Sequence, residues 1–533
     1  MKQLKLSART VTAILAVVVL AVAAGAVAYA TSRGSHATAT PGTAAHQPGQ
    51  TGQTGQTRQT GQTTANPANG TVTFGSGTVG QPIPSGYVGL TTEYRGLEGY
   101  AGNNPAALDP VFEQLIRNLA PGQSPVLRIG GDSTDWTWYP IPHMTPPGGI
   151  KFSLDKTWLG VASNLAKAVG ARLILGINLE ADSGRIAAAE AHGLINGVGR
   201  ARIAALELGN EPELYATFPW YKLPSGQHVR GRPPTYTYAS FVRDFASVSR
   251  AIPRSTTLAG PSMGAPMWIP LLGQFLSGNR RVGLATLHRY PLKHCSAATH
   301  ITVPEILADS SSTGLAASVA GAVAASHARH VPLRVDEMSA ISCGGVNGVS
   351  HSFATGLWAL DALFAMARVG VDGVNMQTAP GSWNELFGVT QSKSGWSATV
   401  YPAYYGMMMF AQAAPPGSRL LKPSGSLGAG VHVWATRAGD GTVRVTLINE
   451  TSGSRSVTVH LPAQTVTATL ERLQAPSASA TQGVTLDGQS FGPQTRTGQL
   501  AGTSNLTFVK PTTTGYTITL TAASAALLTV AAK

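Results

Sequence analysis

Between residues 87 and 413, short apolar runs alternate with longer helix-periodic stretches, and the alternation repeats eight times. The runs span residues 87–92, 126–129, 173–177, 203–208, 257–259, 282–287, 333–335 and 374–376. Apolar runs this short suit strands buried on both faces of a parallel sheet. Helical patterns separate them, as at residues 154–169, 353–369 and 403–413. A strand–helix alternation of this length predicts an α/β chain folded as a (β/α)8 barrel.

The pattern changes after residue 415. Residues 431–436, 442–449 and 456–461 alternate apolar and polar side chains, with Asp440-Gly441 as a hairpin turn between the first two. Residues 516–520 and 527–530 continue the theme, rich in Thr and Val. The expected organisation is a barrel over residues 71–414 and a β-sandwich over 415–533. Residues 71–74 are a candidate strand for the sandwich, so that 71–86 join it.

The first 70 residues read differently. Lys2, Lys5 and Arg9 precede an apolar run over residues 11–28, and Ala28-Tyr29-Ala30 is a small-x-small cleavage candidate. Residues 1–30 are expected to be a cleaved export signal or, uncleaved, a membrane anchor. Either places the rest of the chain outside the cytoplasm. Residues 31–70 repeat Gly-Gln-Thr, hold no aromatic residue and read as a disordered spacer.

Two of the eight runs end on glutamate. The fourth is followed by Gly209-Asn210-Glu211-Pro212, and the seventh by Asp336-Glu337 and then small residues from Ser339 to Gly345. Proline cannot extend the strand, and it biases Glu211 toward an extended backbone. Barrels of this class do their chemistry at the C-terminal ends of their strands. Two carboxyl groups there are what glycoside cleavage needs: one to protonate the leaving oxygen, one to attack the anomeric carbon or activate a water. Arg128, projecting from the second run, is the candidate to hold Glu337 ionised. Phe218, Trp220 and Tyr221 beyond Glu211 either stack on a sugar or pack their loop.

Charge bears on the substrate. The formal net charge is +13, with only 12% charged residues. Loss of Lys2, Lys5 and Arg9 would leave +10, three units fewer. That balance suits a uronic-acid polymer, or is a dispersed surface charge without a partner. No Lys- or Arg-rich run argues for nucleic acid. The two cysteines, Cys295 and Cys343, follow neighbouring strands; in an exported chain they pair as a disulfide, the alternative being two thiols. No Cys/His spacing resembles a zinc site, and no metal or cofactor is expected. A monomer is expected, meeting a membrane only through an uncleaved N-terminal segment.

These residues resemble glycoside hydrolase family 79, the retaining β-glucuronidase and heparanase family of the (β/α)8 clan A. Asn210-Glu211 is similar to the clan's Asn-Glu pair, and Val335-Asp336-Glu337 with Gly344-Gly345 to the family's nucleophile segment. Leu127-Arg128-Ile129-Gly130-Gly131 resembles its second strand, and Leu287-His288-Arg289-Tyr290 its sixth. The resemblance implies Glu211 as acid/base, Glu337 as nucleophile and Asn210 on the sugar 2-hydroxyl. It implies further that Glu93, Asp132, His288 and Gln377 line the sugar and that Tyr290 touches the nucleophile. The N–H groups of Gly344 and Gly345 would receive a uronate carboxylate. Glu93 or Asp132 as caps, and Gln377 as a polar barrel residue, are the bland readings. Some family members carry a tyrosine in the loop after the nucleophile, where this chain has Cys343. The expected activity is hydrolysis of β-glucuronides by double displacement. The alternatives are a clan A β-glycosidase on a neutral sugar and a non-catalytic carbohydrate-binding surface protein; the two strand-end glutamates argue against the second.

Overall fold

The computed structural model describes residues 68–462 and 466–532. The expected export segment and nearly all of the spacer lie outside the described residues. Among the described residues no helix is long and apolar enough to cross a membrane.

Strand β1 (Ala68–Val79) precedes the barrel but belongs to the C-terminal domain. Eight parallel strands then close into a barrel: β2 (Val88–Glu93), β3 (Val126–Gly130), β4 (Arg172–Ile177), β5 (Ile203–Leu208), β6 (Leu258–Met263), β7 (Val282–Arg289), β8 (Leu333–Met338) and β9 (Gly373–Gln377). Neighbours in sequence are neighbours in the barrel, and β9 closes on β2. The strand expected at 257–259 is twice that long. It runs through Gly260-Pro261, with a cis peptide between them, and pairs there with β7. Both residues read as strand breakers; Gly260 is needed because a Cβ would meet the Phe245 ring at 2.9 Å.

The outer helices are α1 (Pro110–Leu119), α2 (Lys156–Val169), α3 (Gly184–Leu194), α4 (Tyr238–Ser249), α5 (Leu272–Gly278), α6 (Thr313–His327), α7 (Phe353–Arg368) and α8 (Pro402–Ala413). Their starts are written locally. Asp109 accepts from Val111 N at 2.8 Å with proline at the next position, and Asp155 accepts from Trp158 N. Helices α7 and α8 are apolar nearly all round and buried along nearly their whole length. Such helices need cover on every side. The C-terminal domain supplies it: Trp434, Ile448, Leu473 and Leu527 join the barrel's apolar core. Trp434 stacks on Phe364 at 5.7 Å and donates to Asp361 Oδ1 at 2.6 Å.

That domain is built on β1 with β10 (Arg419–Ser426), β11 (Val431–Arg437), β12 (Val443–Asn449), β13 (Arg455–His460), β14 (Ala468–Gln474), β15 (Thr485–Leu486), β16 (Thr507–Val509), β17 (Tyr516–Leu520) and β18 (Ser524–Val530). Hydrogen bonds join them in the order β15-β14-β18-β12-β11-β10-β1-β13-β17, with β16 beside β14. Val459 and Ile518 near one end share an apolar core with Leu447 and Leu528 from the other half, so the sheet folds over itself as two layers. β1 is antiparallel to β10 and parallel to β13.

Candidate active site

Arg128 organises the interior of the barrel. It lies wholly buried on β3 and spends its donors on four strands. Nε reaches Glu207 Oε2 at 2.6 Å and Asp336 Oδ2 at 3.2 Å. Nη1 reaches Glu337 Oε2 at 2.7 Å and Thr91 Oγ1 at 3.2 Å, and Nη2 reaches Asn210 Oδ1 at 2.9 Å and Ser262 Oγ at 3.2 Å. A guanidinium's fixed fork suits this many planar contacts; an ammonium could not make them.

Glu337, next to last in β8, has both carboxylate oxygens engaged. Tyr290 Oη donates to Oε1 at 2.7 Å, and Arg128 donates to Oε2. Burial pushes its pKa up, but His288, Arg128 and the Tyr290 hydroxyl together win, and the net direction is down. Glu337 is therefore held as a carboxylate.

Glu211 follows β5 on a strained turn. Gly209 has φ +83°, and a Cβ there would meet Tyr215 Oη at 2.7 Å. Glu211 itself is left-handed at φ 44°, ψ 56°, not extended as its proline neighbour predicts. Two hydrogen bonds override the local preference: Glu211 N donates to Ser262 O, and Leu214 N donates to Glu211 O, both at 2.8 Å. Ser262 on β6 is left-handed too, at φ 55°. Non-glycine residues in this region cluster at functional sites. Gly264 leaves the room Glu211 needs, since a Cβ there would sit 2.6 Å from Glu211 Oε1.

His288 on β7 links the two glutamates. Nδ1 is 3.1 Å from Glu211 Oε1 and 3.9 Å from Glu337 Oε1, and Nε2 is 3.0 Å from Ser262 Oγ. Burial alone would lower its pKa; Glu337 and Glu211 overcome that and raise it to about 9. Carboxylate oxygens of Glu211 and Glu337 and a ring nitrogen of His288 all lie within 4.8 Å of one another. These are metal-ligating types. Yet Glu337 has both oxygens occupied and already faces two cations, Arg128 and protonated His288, which disfavours a third.

The rest of the wall is positioned by buried acids. Asp135 Oδ1 accepts from Leu179 N and Glu180 N, and Oδ2 from Tyr215 Oη at 2.6 Å and Asn210 N at 3.0 Å, which fixes the start of the Asn-Glu turn. Glu93, the last residue of β2, accepts from Ser133 N at 2.8 Å and from the Ser133 hydroxyl. Burial raises its pKa against the Ser133 hydrogen bonds. Asp132 opens onto the cleft and accepts from Asn210 Nδ2 at 3.3 Å. The protein mass around it and the charges of Glu93, Glu211 and Glu337 push its pKa well up. Gln377 ends β9, half-buried.

The loop after Glu337 is tied twice. Cys343 is bonded to Cys295 in the loop after β7, and Ser342 N donates to Leu292 O at 2.9 Å. Cys343, Gly344 and Gly345 are three successive left-handed residues. The Gly345 N–H closes a turn onto Ser342 O at 3.4 Å, whereas Gly344 faces open space. Trp383 N donates to Gly344 O, and its side chain stays 46% exposed beside this loop. Trp220 is no sugar platform: it is buried against Gly149 and donates to Asp135 O.

Sequence reasoning missed Glu207, Asp336, Ser262, Asp135 and Glu213. Asp336 makes no hydrogen bond; Arg128 Nε faces it as an ion pair at 3.2 Å, and Glu207 abuts it. Burial and the Glu207 charge push Asp336 up; burial of Glu207 is outweighed by Arg128, and Glu207 goes down. The two acids are thus pushed in opposite directions, Asp336 toward the neutral form and Glu207 toward the carboxylate. Glu213 Oε1 accepts from Gly264 N and Ala265 N; burial and the charge of Glu211 raise it to about 7. The available signal was an acid inside an otherwise apolar strand, since buried acids need partners.

Two expected outcomes follow from this geometry. The folded pKa of His288 is raised, so its contribution to stability is complete below about pH 6.5 and lost as pH rises through about 9. Urea melts at pH 6 and pH 9.5 should show His288→Gln losing less stability over that interval than the parent. Equal losses would contradict the assignment. The Cys295–Cys343 bond closes 48 residues, worth on the order of 4 kcal/mol in the chain-entropy model. Non-reducing peptide mapping should find the linked peptides, and a Cys295→Ser/Cys343→Ser pair should melt earlier. Two alkylatable thiols in the untreated protein would exclude the bond.

The arrangement has known counterparts. Residues 433–527 match the family model described as Glycosyl hydrolase family 79 C-terminal beta domain. The chain is similar to a β-glucuronidase of Aspergillus niger, 24% identical over 493 residues, covering 80% of this chain and 86% of that protein. A β-glucuronidase of Neurospora crassa is 24% identical over 401 residues, covering 66% and 68%. Among solved structures, a 4-O-α-L-rhamnosyl-β-D-glucuronidase from Fusarium oxysporum superposes with a TM-score of 0.69 at 21% identity, covering 86% of this chain and 100% of that one. A family 51 arabinofuranosidase from Xanthomonas axonopodis reaches 0.59 at 16% identity, covering 86% and 99%.

Proposed function

The chain belongs to glycoside hydrolase family 79, and from that premise we propose that it hydrolyses β-glucuronides with retention of anomeric configuration. The observation that carries the mechanism is the approach of Glu211 and Glu337 to within 4.8 Å, oxygen to oxygen, from two barrel strands. Retaining glycosidases hold their carboxyl groups about 5–5.5 Å apart, and inverting ones about 6.5–9.5 Å to admit a water.

In the first step a Glu337 oxygen attacks the anomeric carbon. The bond to the leaving oxygen breaks as Glu211 gives it a proton. In the second, Glu211 takes a proton from water, the water oxygen attacks the same carbon, and the ester to Glu337 breaks. Arg128 and Tyr290 orient Glu337 for attack and receive its charge back on release. Burial of the attacking carboxylate among fixed donors supports the step, since no solvent reorganisation accompanies it.

Support for a glucuronide comes from the activities of the similar proteins and from the net charge of +13, which favours an anionic substrate. The chromogenic β-glucuronide should be turned over about 100-fold or more faster, in kcat/KM, than the β-glucoside or β-xyloside. Better turnover of a neutral glycoside would make the chain a neutral-sugar β-glycosidase. Binding without turnover would make it a carbohydrate-binding protein. We place the enzyme outside the cytoplasm on the strength of residues 1–30. Intact mass of the protein from its native host should show loss of that segment or membrane association; a soluble cytoplasmic chain retaining it would refute export.

A further inference from the structure

A second cluster of ligating side chains sits where the barrel meets the β domain. Asp309 opens a short turn before α6, Asp361 lies on α7, His432 on β11, and Glu450 directly follows β12. His432 Nε2 is 3.3 Å from Asp309 Oδ1 and 3.3 Å from Glu450 Oε2. Zinc–nitrogen and zinc–oxygen bonds of about 2.0–2.2 Å give a tetrahedron with edges of roughly 3.3–3.5 Å, so two such edges already exist. Ligating atoms of Asp361, His432 and Glu450 all lie within 4.8 Å of one another.

The independent observation is Asp361. Its side chain is fully buried; Oδ1 accepts from Trp434, but Oδ2 has no hydrogen bond and points at His432 Nδ1, 3.7 Å away. His432 Nε2 lacks a hydrogen bond as well. Leaving a buried carboxylate oxygen unpaired is costly. It makes sense if Asp361 is the carboxylate that orients a metal-bound imidazole through the ring's other N–H. Three carboxylates around one imidazole also leave the cluster short of positive charge. One imidazole with carboxylates suits zinc better than calcium.

We propose that this junction is a zinc-type divalent cation site, with His432 Nε2, Glu450 Oε2 and Asp309 Oδ1 as ligands, Asp361 orienting the imidazole and a water completing the shell. The ion would clamp the β domain, through His432 and Glu450, to the turn before α6, with Asp361 holding the imidazole from α7. Sequence spacing could not reveal it, because the ligands come from four separate segments.

The test is calorimetric titration of the metal-stripped full-length protein with zinc chloride, with calcium chloride as control, alongside thermal melts. One zinc per chain and a melting point raised by a few degrees are expected, because a ligand of the folded state stabilises it. Asp309 is 74% exposed, so Asp309→Ala should fold normally and bind zinc at least about tenfold more weakly. Asp361→Asn should weaken it similarly. A Glu211→Gln/Glu337→Gln variant should bind zinc like the parent; loss of binding there would move the ion to the catalytic cluster and overturn the proposal. No zinc uptake by the parent, or uptake unchanged by Asp309→Ala and His432→Gln, would mean an ion-pair cluster only.

Discussion

Glu337→Gln should lower kcat on an aryl β-glucuronide by on the order of 10⁴-fold, about 5.5 kcal/mol of transition-state stabilisation, with circular dichroism unchanged. The amide keeps the volume and can still accept from Tyr290 Oη or Arg128 Nη1, but it cannot form the covalent bond. Glu211→Gln should behave differently. Its loss falls hardest on poor leaving groups, because an activated phenol departs without a proton. External azide separates the roles. With Glu337→Gly it attacks the anomeric carbon from the vacated face, giving an α-glycosyl azide. With Glu211→Ala it attacks the glycosyl-enzyme and gives the β-azide. The same azide anomer from both variants would show that the two glutamates do not divide the work in this way.

Arg128→Met should cost about 3–5 kcal/mol of stability, the penalty for stripping one partner from a buried charge cluster. Glu207 and Glu337 would be left ionised in the barrel with His288 as the remaining cation between them, and Asn210 and Ser262 would lose their donor. The catalytic consequence has a sign. Glu337 has a depressed pKa in the folded protein, so its stabilising contribution is present above the ordinary carboxylate pKa and lost as pH falls through the folded value. Without Arg128 that value rises, and the acidic limb of kcat/KM moves to higher pH. Arg128→Lys keeps a charge but not the fork, and should recover little of either. Urea melts and pH–rate profiles read the two effects separately; a variant within 1 kcal/mol of the parent would mean that Arg128 is not the hub.

What was legible in the sequence follows from where each residue's environment is decided. The barrel strands announced themselves because strands buried on both faces must be apolar throughout, as Ile203-Ala204-Ala205-Leu206 is. Strand β10 was invisible: Lys422-Pro423-Ser424-Gly425-Ser426 has no alternation, and β1 is what makes it a strand. β6 was cut short at Gly260-Pro261 for the converse reason, since tertiary packing overrides the local preference of both residues. Glu211 and Glu337 stood out because a carboxyl ends an apolar run. Glu207 and Asp336 lie inside such runs, and their meaning depends on Arg128 arriving from another strand. The left-handed backbone at Glu211 could not be read at all; proline argues for extension, and the deciding hydrogen bond comes from Ser262.

Proton NMR of the first product formed from an aryl β-glucuronide bears most directly on the double displacement by Glu211 and Glu337. The anomeric doublet should appear first as the β-anomer, with the α-anomer growing in only at the rate of mutarotation. The α-anomer appearing first would mean single displacement through a water, and would remove Glu337 from its role as nucleophile.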